Sequence, residues 1–109
     1  MTDPFHVATT KWLRASQRGR TAARNGNWKL AEHQFRKAVR ISIRLDLVTH
    51  LYSMIERARA LRMLDRVDES MKIANAAHTL ILRHVSVNQP HFHGLLDLLD
   101  RISEGTAVN

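Results

Sequence analysis

The chain contains no cysteine, which excludes thiol catalysis, disulfide cross-links and cysteine-based zinc sites. A reducing compartment is the setting that fits. Punctuating residues are also scarce, with two prolines and four glycines in 109 residues. With β-branched alternation absent as well, this composition predicts helix. No apolar run approaches the ~18 residues of a membrane span. The opening MTDPFHVATTKWLR lacks a basic region followed by an apolar run, which predicts no secretory leader and a cytoplasmic protein. Ser/His/Asp order, a glycine-rich phosphate loop and paired carboxylates are all missing, so no enzyme and no cofactor are expected.

What is present is apolar enough to fold. Hydrophobic residues make up 44%, near the globular average, and the length suits one domain over 1–109. Net charge is +7 and unevenly placed. Residues 1–45 hold ten Lys/Arg against Asp3 and Glu32, a balance of +8. Residues 84–109 hold Arg101 against Asp97, Asp100 and Glu104, a balance of −2. A basic front half suits an anionic partner, and serves solubility equally well.

Periodicity and caps predict five helices. Asp3-Pro4 is an N-cap followed by proline at the first helical position, opening a helix to about Arg24. Asn25-Gly26 is a turn dipeptide, and Asn27 caps a helix from Trp28 to about Leu45. Trp28, Ala31, Phe35, Ala38, Val39 and Ser42 form its apolar stripe, and Trp28, Ala31, Phe35 and Ala38 are expected to be buried between helices, away from any partner. Glu32 falls on the opposite, basic face, where it can pair with Arg36. A third helix runs from Asp46 or Leu47 to Leu64, with Leu47, Leu51, Ile55, Ala58 and Leu61 inward. Asp65, three before Asp68, has capping-box spacing for a fourth helix over 67–84. Asn88-Gln89-Pro90 then opens a fifth helix, about 90–104, in which Leu95, Leu98, Leu99 and Ile102 share one stripe. Met54, Met63 and Met71 read as core fillers.

The second helical pair overlays the first at an offset of 39. Gly19 falls on Ala58 and Ala38 on Ala77, small residues where helices approach closely. Ala15 falls on Met54, Ala22 on Leu61, and Phe35 on Ala74. With Gly19, Gly26-Asn27-Trp28-Lys29-Leu30-Ala31 and Ala31-x-x-x-Phe35-x-x-Ala38, the chain resembles the tetratricopeptide repeat over roughly residues 12–82. It carries Arg18 and Arg57 where that pattern has leucine, and lacks the closing proline. The resemblance implies an all-α antiparallel helix-pair solenoid. Repeat one spans about 4–45 and repeat two about 47–84, with the fifth helix as a cap or, alternatively, a surface for self-association.

The resemblance also implies a concave groove lined by the first helix of each pair, taking a peptide or helix of a partner protein. Its register makes Leu13, Ser16, Arg20 and Ala23 or Arg24 groove-facing. Tyr52, Ile55, Arg59 and Arg62 or Met63 are their counterparts. Arg20, Arg24, Tyr52, Ile55, Arg59 and Arg62 are the candidate partner-binding residues. Guanidinium forks would grip an acidic peptide while Tyr52 and Ile55 supply apolar contact. The plainer reading makes these arginines solvated, some paired with Glu56 or Asp65.

A second basic row, Arg36, Arg40 and Arg44 with Lys29 and Lys37 beside it, is the alternative site. It would track the phosphates of a nucleic acid. His91-x-His93 is the closest histidine pair, but that spacing splits the rings between helix sides, so no metal is expected.

Overall fold

A computed structural model describes residues 3–84, 94, 97–99 and 101. Four helices follow in order: α1 (Pro4–Arg24), α2 (Trp28–Ser42), α3 (Leu47–Met63) and α4 (Val67–His84). The described residues contain no strand. Each helix packs on the next, α1 on α2, α2 on α3 and α3 on α4, which makes an all-α run of helical hairpins.

The starts form where the sequence places them. The Asp3 carboxylate accepts from the Phe5 N–H, Asn27 from Leu30 and Asp46 from Thr49. Each satisfies an amide that the first helical turn leaves unpaired. The two hairpin turns are copies of one another. After α1, Gly26 takes φ 76° and the Asn27 N–H reaches back to the Ala22 carbonyl at 2.8 Å. After α3, Asp65 takes φ 61° and the Arg66 N–H reaches the Leu61 carbonyl at 2.9 Å. Both are the left-handed closure that ends a helix, and every matched residue lies 39 positions apart.

Asp65 therefore ends α3 and does not cap α4, which corrects the capping-box reading. Its left-handed backbone is the position a short polar side chain tolerates best after glycine. The α4 first turn instead carries Asp68 and Glu69 toward the positive end of the helix dipole. A second correction concerns α2, which stops at Ser42 and not near Leu45. Arg44 and Leu45 make tight turn bonds to Ile41 and Ser42.

Two core clusters hold the stack. Ala22, Ala31, Phe35 and Ala60 join α1, α2 and α3. Leu51, Met54, Ile55, Ala58, Ala74, Ala77 and Ile81 join α3 to α4, and Leu99 completes that cluster. The small-residue positions do what close approach requires. A Cβ on Gly19 would lie 2.5 Å from the Phe35 ring, and Ala38, Ala58 and Ala77 have no exposed surface. At the α3–α4 crossing the Ser70 hydroxyl donates to the Ala58 carbonyl at 2.7 Å.

Of the fifth helix, Gly94, Asp97–Leu99 and Arg101 are helical, and buried Leu99 faces the core with Leu98 against it. Leu95, Ile102, His91 and His93 lie outside the described residues. Met54 is a core filler, whereas Met63 is exposed. No helix among the described residues is long and apolar enough to cross a membrane.

Candidate functional site

The backbones of α1 and α3 each pack on α2 more than on each other, so a cleft opens between them with α2 as its floor. Arg20, Ala23 and Arg24 come from α1, Trp28 and Phe35 from α2, and Glu56 and Arg59 from α3, around about 280 Å³. Two side-chain bridges set the spacing of the walls. The Trp12 indole N–H donates to the Ser53 hydroxyl at 2.7 Å. Further along, the Arg20 guanidinium straddles the Glu56 carboxylate at 3.0 and 3.2 Å. Those bonds from Glu56 raise the Arg20 pKa further, although partial burial opposes the shift.

Three guanidiniums face a single carboxylate here, so the cleft keeps positive charge. Arg24 is exposed and donates to the Thr21 hydroxyl. Arg59 lies over the Trp28 ring, 5.5 Å from its centre, a cation–π arrangement that fixes its plane. Its Nε is buried without a hydrogen-bond partner.

Of the residues the sequence marked for a partner, Arg20, Arg24 and Arg59 converge on this cleft. Tyr52 is exposed further along α3, matching Leu13 on α1, which is equally exposed at 44%. Arg62 is half-buried away from the lining residues. Ile55 belongs to the core at 4% exposure and has no surface to offer. Its position inward along α3 already serves the α3–α4 cluster. Trp28 departs in the other direction, since its half-buried ring is the floor of the cleft and not wholly sequestered. No helical wheel of α2 alone could show this, because the opening is made by the separation of its neighbours.

The alternative basic row is broken. Arg36 is held bidentately by Glu32 at 2.7 and 2.8 Å, and Glu32 itself is buried at 3%. The expectation of an outward Glu32 fails because Arg57 crosses from α3 to approach the same carboxylate at 3.6 Å. Two cations make that burial tolerable. Arg40 is exposed on α2 and Lys29 lies near its start, while Arg44 falls in the turn beyond the helix. Among the described residues no group of three or more His, Asp and Glu side chains is placed to hold a metal ion.

No family model matches this chain, and no curated protein or solved structure matches it.

Proposed function

We propose that the chain is a tetratricopeptide-like interaction module, an adaptor or chaperone-like protein holding an acidic peptide segment between α1 and α3. The carrying observation is the cluster of three arginines around the Trp28 ring, with Glu56 as the one carboxylate among the described lining residues. Planar guanidinium forks match carboxylates. The half-buried Trp28 ring gives the neighbouring apolar groups of a peptide a surface on which to rest. The repeat reading draws support from the two hairpin turns, alike in φ and in hydrogen bonding at the same offset. Binding without catalysis and a cytoplasmic setting belong to this reading.

Arg20 is engaged by Glu56, so an incoming carboxylate meets Arg24 and Arg59 first. The Arg20 side chain is 49% exposed and that of Glu56 20%, so exchange of this partly exposed pair costs on the order of 1 kcal/mol. The test uses labelled peptides that end in consecutive Asp/Glu residues, with Asn/Gln versions as controls. Arg24→Gln with Arg59→Gln lowers acidic-peptide affinity by at least about tenfold, on the order of 1.4 kcal/mol. Glu56→Gln raises it severalfold by removing the competing carboxylate. Gln is the replacement of choice at position 20 also, since Glu there would face Glu56. Unchanged affinity in the double variant defeats the cleft reading.

A further inference from the structure

The outer side of the α1–α2 hairpin carries a second basic surface. Two adjoining recesses of about 470 and 180 Å³ lie along it. Lys11, Arg14, Arg18 and Lys37 line them, and among the described residues no carboxylate does. The four cations are all exposed. Between them the lining turns apolar at Ala15, Ala22, Leu30 and Ile41.

The internal repeat says what belongs there. On α3 three residues meet α2: the His50 ring approaches the Ser42 hydroxyl at 2.8 Å, Arg57 approaches Glu32, and Ala60 packs with Ala31 and Phe35. Thirty-nine positions earlier stand Lys11, Arg18 and Thr21, and all three line the outer recesses. The face that α3 covers with α2 is therefore the face that α1 leaves uncovered. Arg57 uses that register to reach the carboxylate of a helix lying across it, and Arg18 repeats the residue without the helix.

We propose that this groove docks an amphipathic helix of a partner protein, laid across α1 as α2 lies across α3. That helix presents a carboxylate to Arg18, further acidic groups to Lys11, Arg14 and Lys37, and apolar side chains to the floor between them. Charge selects the partner. A second copy of this chain carries +7 overall and only −2 in residues 84–109, so like-charge repulsion opposes it. A nucleic-acid backbone would meet the cations but leave the apolar floor unfilled. An acidic helix satisfies both.

The probe is a designed alanine-based helical peptide with Glu repeating at i, i+4 and i+7 and Leu beside that row. A scrambled peptide of the same composition and a short DNA duplex serve as comparisons. Binding is read by anisotropy at low and at physiological salt. Arg18→Gln lowers helix affinity about tenfold, the effect expected for one close charge pair. Replacing Lys11, Arg14, Arg18 and Lys37 together by Gln removes binding. An equal loss of charge elsewhere (Lys29, Arg40, Arg44 and Lys72 to Gln) changes it less than about threefold, because screened distant charges contribute little. Circular dichroism confirms that both quadruple variants remain helical. Arg24→Gln, which alters the inner cleft, leaves helix binding unchanged, so the two surfaces fail or succeed separately. The proposal is overturned by equal losses in the two quadruple variants, by scrambled peptide binding as well as the helix, or by no helix binding at low salt. Preference for the DNA duplex, abolished by the groove variant, reassigns the surface to nucleic acid.

Discussion

At the scale of single residues, the packing turns on Gly19. The Phe35 ring occupies the space a methyl would need, with three ring atoms within 3.0 Å of that position. Overpacking costs about 1–3 kcal/mol, and the better helix propensity of alanine returns up to about 1 kcal/mol. Gly19→Ala is therefore expected to lower stability by about 1 kcal/mol in urea titration; a clear gain would mean that the ring swings into the cleft without cost. His50 gives a pH signature. Burial holds its pKa below the ordinary value of 6.5, against a smaller opposing effect of the Val39 carbonyl. The unfolded chain then binds a proton more readily than the folded one, so the stabilisation is complete above about pH 6.5 and declines as pH falls toward the folded value. The urea midpoint should drop more between about pH 7.5 and 5.5 in the wild type than in His50→Gln. Equal drops would assign the effect to other groups. The small-residue register that makes Gly19 matter was legible, because spacing alone marks it. The burial of Glu32 was not, since its partner Arg57 arrives from another helix.

At the scale of elements, both limits of α1 and the start of α3 were readable from Asp3-Pro4, Asn25-Gly26 and Asp46, each a local chemical signal. The α2 end was not, for Ile43-Arg44-Leu45 contains no breaker. The chain leaves the helix there because Asp46 must stand extended to cap α3. The two left-handed closures now make a paired prediction of opposite sign. Gly26→Ala meets no atom within 4 Å, yet forces an L side chain to φ 76° and should cost about 1 kcal/mol. Asp65→Gly relieves φ 61° and should add about 0.5–1 kcal/mol. On a domain of this size 1 kcal/mol moves the thermal midpoint by about 4 °C, well within reach of calorimetry. Movement of both variants in the same direction would contradict the equivalence of the turns.

At the scale of the whole molecule, the main packing among the described helices runs between successive ones, and the candidate cleft lies where that packing skips a neighbour. The arginines at positions 20 and 59 were legible as a pair because they share a repeat position. Their carboxylate partner, their aromatic floor and the outer groove emerge only when three helices are assembled. The two bridges between α1 and α3 have a mechanical consequence. Trp12–Ser53 joins two uncharged groups and is indifferent to anions, whereas Arg20–Glu56 is a clasp that a ligand carboxylate can take apart. On the proposed binding reading, one end is pinned and the other releasable, so α1 and α3 would work as a pair of tongs hinged near Trp12. On the same reading, an acidic ligand entering at Arg24 and Arg59 would be the one that opens them.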